Sequence, residues 1–307
     1  MSGHHHDHGA DAGDKRIWWA ILVNVLLTFA QIAGGILSGS LSLIADALHN
    51  FSDAASLVIA YGARRISRRP ADDTMTFGYV RAEIVAALIN YTTLIVIGLY
   101  LFYEAVMRFI NPEPIEGWIV VIVASIALVI DVVTAMLTYA LSKSSMNIRA
   151  AFLHNVADAL GSVGVIIAGT VVLIYGWIWI DPAITLLIAG YILWQAFTEI
   201  GSSIRLLMMA TPEDVDAVQV VLDLRSVEGV EDVHHVHVWA IDEGHNAFEA
   251  HIVVADASFM EVAKVKRRVR KILQEKHGIA HSTLEIETSD DRCDNDSKVI
   301  GHEVDKL

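Results

Sequence analysis

Six long apolar stretches separated by short polar breaks fill the first two thirds of the chain, and the last third turns to short alternating and amphipathic runs. The apolar stretches cover about Ile17–Leu37, Leu41–Ala63, Ile84–Met107, Trp118–Leu141, Ala150–Ile174 and Ala183–Met208. Each is close to the roughly 20 residues that a helix needs to cross the hydrocarbon core. The pattern predicts a polytopic α-helical membrane protein with six transmembrane helices. The first stretch is too long, and too interrupted by Asn24 and Gln31, for a removable signal peptide.

Basic residues fall in alternate loops. Lys15 and Arg16 precede the first span, Arg64, Arg65, Arg68 and Arg69 follow the second, and Lys143 and Arg149 follow the fourth. The other short loops hold neither Lys nor Arg, so both termini are expected on the cytoplasmic side of the cell membrane. Past Met209 the pattern changes. Val215–Leu224 reads as a helix, Val230–Ile241 and Ala247–Val254 as strands around a turn at Gly244, Phe259–His277 as a helix, and Ser282–Glu287 as a third strand. In the first strand, Val233, His235, His237 and Trp239 fall on one face.

That order suggests a cytoplasmic ferredoxin-like α+β domain. The expected division is a His-rich N-terminal segment over 1–16, a transmembrane transport domain over 17–209, the α+β domain over 210–288, and a disordered polar tail over 289–307. The composition, 54% hydrophobic and 19% charged, fits a membrane protein with a soluble appendage. A net charge of -14, with nothing that resembles a basic stripe, argues against a nucleic-acid binder. The single cysteine, Cys293, excludes an internal disulfide and a multi-thiolate zinc site.

Two apolar spans carry ionisable pairs at i,i+4 spacing, His49 with Asp53 and His154 with Asp158. The spacing places each pair on one helix face. A charge at the centre of a membrane helix costs about 2.5–3.5 kcal/mol on insertion scales, so such residues mark function. Imidazole and carboxylate are zinc ligands, and two aspartates cancel the charge of a divalent ion. A histidine must be neutral to bind metal, which links proton uptake to metal release.

Around these pairs the segments SGSLSLIADALHNFSDAASL, FGYVRAE, FLHNVADALGSVGV, DPAITLLIAGYIL and VHVWAIDEGHNAFEAHIVV resemble the cation diffusion facilitator family, and are most similar to its bacterial zinc/cadmium/cobalt efflux branch. The resemblance runs from about Trp18 to Glu287. It implies that His49, Asp53, His154 and Asp158 bind the transported ion. It further implies a homodimer that exports Zn2+ from the cytoplasm in exchange for H+ by alternating access, with Zn2+ also a regulatory ligand and no organic cofactor. In the C-terminal domain it points to His237, His251 and Glu287 as further metal ligands, with His281 beside them. His234, His235, His245 and His277 are weaker candidates.

Other polar residues keep two readings each. Asp46, one turn before His49, lines the ion path or caps a helix end, and Asp131 is a proton-carrying group or a neutral buried acid. His4, His5, His6 and His8 capture metal for the pore mouth or form an expression tag. The loop after the second span has no histidine, so the cytoplasmic-loop metal site of some relatives is expected to be absent or built only from Asp72 and Asp73. Three alternatives stand beside zinc export: a Cd2+, Co2+ or Fe2+ exporter with the same site, a membrane zinc sensor without transport, and a metallohydrolase, for which no general base is evident.

Overall fold

The computed structural model describes residues 25–142, 146–242, 244–255, 258–293 and 299–301, with the side chains of 57, 137, 138, 140–142, 146–151 and 154 left aside. The cluster of His4, His5, His6 and His8 and the start of the first expected span lie outside the described residues. The chain forms two compact units. One takes the described residues up to Gly62 with Ala87–Ile200, and the other takes Ala63–Ala86 with the residues from Gly201 onward.

The first unit is helical: α1 (Val25–Ser38), α2 (Leu41–Ser67), α3 (Ala82–Ile110), α4 (Gly117–Ser142), α5 (Met146–Tyr175) and α6 (Ile180–Leu207), of which α2, α3 and α6 run on into the other unit. Among the described residues, four segments are long and apolar enough to cross a membrane: all of α3 and α6, Gly117–Met136 of α4, and Asn155–Tyr175 of α5. The protein is therefore a multi-pass membrane protein. Helix α2 falls outside that set because Ser42, Asp46, His49, Ser52 and Asp53 lower its hydropathy.

Packing inverts the pattern of a soluble protein. Ala45, Ala105, Ala124, Ala168, Ala189 and Ala196 are fully buried, whereas Val96, Leu99, Phe102, Ile126 and Leu187 face outward. Lipid offers no hydrophobic incentive to bury large side chains, so small residues collect where helices approach. Gly34 and Gly35 show this directly. A Cβ on Gly34 would meet Val123 of α4 at 2.9 Å, and one on Gly35 would meet Ile44 of α2 at 2.5 Å. Between α1 and α2, Gly39 turns the chain at φ +71°, and a Cβ there would strike the Pro114 carbonyl at 2.7 Å.

Asp181, at the start of α6, is 1% exposed and caps the start of α2. Its carboxylate accepts from the hydroxyls of Ser40 (2.5 Å) and Ser42 (2.6 Å) and from the Leu41 amide (2.8 Å). A negative group thus answers the free N–H groups and positive end of the helix. Arg108 near the end of α3 donates to the Gly39 carbonyl and pairs with Glu113 at 2.9 Å.

In the second unit, α7 (Ala217–Arg225), β1 (Val230–Ala240), β2 (Asn246–Val254), α8 (Phe259–His277) and β3 (His281–Glu287) form an α+β domain. The sheet order is β1-β2-β3, with β1 and β2 antiparallel and β2 and β3 parallel. Asp216 caps α7 by accepting from the Val218 and Gln219 amides, and Gly278 ends α8 at φ 65°. Val220, Val221 and Leu224 of α7 and Val265, Val269 and Leu273 of α8 share one core with Val238, Phe248 and Ile252 of the sheet. Arg81, just before α3, donates to the carbonyls of Ala240 (3.3 Å) and Ile241 (3.4 Å).

Two sequence expectations change here. Strand β1 does not alternate throughout, because its register shifts between His234 and His237 and His235 sits at φ 52°. This bulge puts Val233 on the core face and moves His234 onto the face of His237 and Trp239, so the four residues expected to share a face do not. The tail, expected to be disordered from 289, returns to β1. There the Val236 amide donates to the Val299 carbonyl and the Gly301 amide to the Val236 carbonyl, both at 2.9 Å.

Replacing Asp181 by Ala leaves several buried donors unanswered, at about 1–3 kcal/mol each. The expected outcome is a large drop in the melting temperature of the detergent-solubilised protein, smaller in Asp181→Asn, read by tryptophan fluorescence.

Candidate metal centres

On α2, the helical repeat stacks Asp46, His49 and Asp53 along one side, and α5 brings Asp158 to the same place. His49 Nε2 lies 3.6 Å from Asp53 Oδ2 and 3.5 Å from Asp158 Oδ1. Ligands at roughly 2.0–2.2 Å from a tetrahedral zinc stand about 3.4 Å apart, so these separations suit one ion. Ligand atoms of His49, Asp53 and Asp158 all lie within 4.8 Å of one another. His49 is 7% exposed, and the Tyr191 ring of α6 meets its ring edge-on at 6.2 Å. His154 belongs to α5 one turn before Asp158, and its side chain lies outside the described residues.

A second layer joins four helices behind this group. Gln31 Nε2 of α1 donates to Asp46 Oδ2 at 2.6 Å, and Asn50 Nδ2 donates to Gln31 Oε1 at 3.2 Å. The Ser162 hydroxyl of α5 lies 3.0 Å from Asp131 Oδ2 of α4 and 3.4 Å from Asp46 Oδ2. Asp46 and Asp131, 3% and 7% exposed, are thus bridged through one hydroxyl. Of the two readings of Asp46, a free helix-end cap does not fit a residue placed inside α2.

The C-terminal domain holds another group, on the sheet face away from α7 and α8. The register places His234, His251 and Glu285 in one row across β1, β2 and β3, with Glu287 two residues further along β3. Ligand atoms of His234, His251, Glu287 and Cys293 lie within 4.8 Å of one another. His234 Nε2 is 3.3 Å from Glu287 Oε2, and His251 Nδ1 is 2.6 Å from Glu287 Oε1. His251 and Glu287 were expected here. His237 and His281 were expected with them but fall outside the four-residue group: His237 pairs in register with Glu249, and the exposed His281 sets its ring against Phe77 at 6.1 Å. The β1 bulge explains why His234 takes the place read for His237. The one sequence signal for it is the adjacent His234 and His235, which break the strand alternation; nothing in the sequence links Cys293 to a strand so far away.

Asp72 has a structural task in its own loop. Its carboxylate accepts from the Thr74 hydroxyl (2.7 Å), the Tyr79 phenol (2.7 Å) and the amides of Thr74 (2.8 Å) and Met75 (2.9 Å), ordering the turn between α2 and α3. Those donors hold its carboxyl well below the usual carboxylate range. Because the folded-state pKa is depressed, the support it gives is complete above the unfolded value of about 3.9. That support is lost as pH falls through the depressed folded value.

Fold and site together define a multi-pass membrane protein with a ligand set for a divalent cation on its membrane helices. Residues 17–208 match the cation efflux transmembrane domain, and residues 212–289 match the cytoplasmic domain of cation efflux proteins. The cadmium, cobalt and zinc/H(+)-K(+) antiporter of Bacillus subtilis is 36% identical over 95% of this chain and 94% of its own. The metal cation efflux system protein CzcD of Cupriavidus metallidurans is 34% identical over 93% and 90%. The zinc transporter ZitB of Escherichia coli is 32% identical over 92% of each chain. The protein belongs to the cation efflux, or cation diffusion facilitator, family, within its bacterial zinc, cadmium and cobalt branch. It is a secondary active transporter of divalent cations rather than an enzyme.

Two outcomes are expected. His234→Ala weakens zinc binding by the C-terminal group about tenfold or more, ~1.4 kcal/mol, whereas His281→Ala leaves it unchanged; equilibrium dialysis in an Asp158→Ala background reads this. For the turn, the Met75 amide keeps its protection relative to the intrinsic exchange rate down to pH about 4 in the native chain and loses it in Asp72→Ala.

Proposed function

We propose that this protein exports Zn2+ from the cytoplasm in exchange for H+, through a site made by His49, Asp53, His154 and Asp158. The observation that carries the reading is the convergence of His49, Asp53 and Asp158 at separations suited to one tetrahedral ion. Two carboxylates neutralise the ion, and the set lacks the thiolates that would hold it too firmly to release. Protonation of an imidazole removes it as a ligand, which gives metal and proton opposite demands on one site. Alternating access then exposes the same ligands to each side in turn. Asp46 and Asp131, joined through Ser162, are the groups placed to pass protons to it.

In this reading six helices span the membrane, α1 and α2 completing the four most apolar ones, and both termini are cytoplasmic. The divisions at 1–16, 17–209, 210–288 and 289–307 are kept as functional parts, with His4, His5, His6 and His8 collecting metal. The C-terminal domain is a ferredoxin-like fold without its first strand. Loss of that strand would let the last strand pair in parallel with the middle one, as β3 does with β2. The chain works as a homodimer, and its C-terminal ligands sense zinc. The same transport ligands suit Cd2+ and Co2+, the ions named with zinc for the Bacillus subtilis relative.

Zinc flux into proteoliposomes, with and without a pH gradient, tests the reading. Gradient-driven zinc movement in the native chain and its loss in Asp158→Ala, with helical circular dichroism unchanged, is the expected result. Undiminished flux in Asp158→Ala would sink the site assignment, and zinc binding without flux would favour a sensor.

A further inference from the structure

Helices α4 and α5 frame an apolar groove of about 500 Å³ that runs from Leu128 to Tyr139 on one helix and from Phe152 to Val163 on the other. Ala135 is buried at its base, while Met136 and Leu160 on its rims are exposed. Every side chain that lines it is apolar except for the Tyr139 hydroxyl. On a soluble protein such a surface would call for a protein partner. Here both helices carry segments that cross the membrane, so the groove opens to lipid.

The length of the groove and the charge beside it select the occupant. Leu128 to Tyr139 and Phe152 to Val163 are each eleven steps of helix rise, about 16 Å at 1.5 Å per residue. That is about half of the roughly 30 Å hydrocarbon core. A partner helix that crosses the whole membrane would need a face about twice as long, whereas an acyl chain from one leaflet needs no more than this. At the end nearest the connection between α4 and α5, the rings of Tyr139 and Phe152 meet at 5.4 Å. Aromatic side chains favour the headgroup level of a bilayer. Between Asp131 and Asp158 the chain holds Lys143 and Arg149 and no acidic residue. Lys143 falls in the connection and Arg149 in the first turn of α5. Two basic positions at the interface end of an apolar groove complement a negative headgroup better than a zwitterionic one.

We propose that this groove binds one anionic phospholipid of the cytoplasmic leaflet, with an acyl chain between α4 and α5 and the headgroup at the connection that joins them. The α5 wall spans the positions of His154 and Asp158. The bound chain therefore braces the helix that brings two transport ligands to the site, and zinc flux depends on the lipid. This inference rests on the topology proposed above, which puts the α4–α5 connection on the cytoplasmic side.

Native mass spectrometry of the delipidated full-length protein in detergent, titrated with phosphatidylglycerol or phosphatidylcholine, counts bound lipid and reads the oligomeric state together. One phosphatidylglycerol per protomer binds about thirtyfold more tightly than phosphatidylcholine, about fivefold for each basic residue. Lys143→Gln combined with Arg149→Gln removes that preference and leaves phosphatidylcholine binding as it was. Val132→Trp, at an exposed position in the groove, weakens the binding of both lipids. In liposomes of phosphatidylcholine, a minor share of phosphatidylglycerol speeds zinc flux severalfold in the native chain but not in the doubly substituted one, which separates a bound lipid from the general charge of the surface. Equal affinity for the two lipids, undiminished binding in Val132→Trp, or a flux gain shared by the doubly substituted chain would overturn the proposal. So would a loss of dimer rather than of lipid in Val132→Trp, which would give the groove to a second copy of the chain. Zinc flux in phosphatidylcholine alone would leave the transport reading standing through any of these failures.

Discussion

A polar group inside a membrane domain has no water to turn to, and the helices of this protein are tied together by how those groups are answered. Asp181 is met by the hydroxyls and amides that open α2. Asp46 is met from α1 through Gln31 and shares Ser162 of α5 with Asp131 of α4. Arg108 of α3 is met by the Gly39 carbonyl and Glu113. Each bond joins different segments of the bundle, so compensating the polar residues also sets how the helices lie against each other.

The metal ligands exploit the same constraint. His49, Asp53 and Asp158 repel or attract one another according to what they hold, and a divalent cation is the partner that satisfies one imidazole and two carboxylates at once. A proton on the imidazole offers a different solution with the metal gone. Small residues at the contacts of α1 with α2 and α4 bring the backbones close, while the large apolar side chains are left to the lipid.

The C-terminal domain solves the opposite problem. It has water, and buries a hydrophobic core between two helices and one sheet face. Its other face gathers histidines and glutamates in a register row, and the bulge in β1 adds His234 to that row. The same bulge turns Val236 toward the tail, so one local irregularity both completes a ligand group and fastens the segment that carries Cys293.

Hydropathy, read along the chain, was enough to give the apolar helices and the α+β appendage, because each depends on neighbours within one or two helical turns, and the i,i+4 pairs singled out His49, Asp53 and Asp158, whose meeting across α2 and α5 is tertiary. The strand and helix order past Met209 was equally local. Only the tertiary structure decided what depends on distant partners. It showed that Asp181 caps a helix some 140 residues away in sequence, that Asp46 and Asp131 share a serine, and that Asp72 orders a turn. It also gathered His234 and Cys293, rather than His237 or His281, beside His251 and Glu287. A bulge shifts every later side chain by one position and leaves almost no mark in composition. A cysteine brought to a strand by a returning tail leaves none.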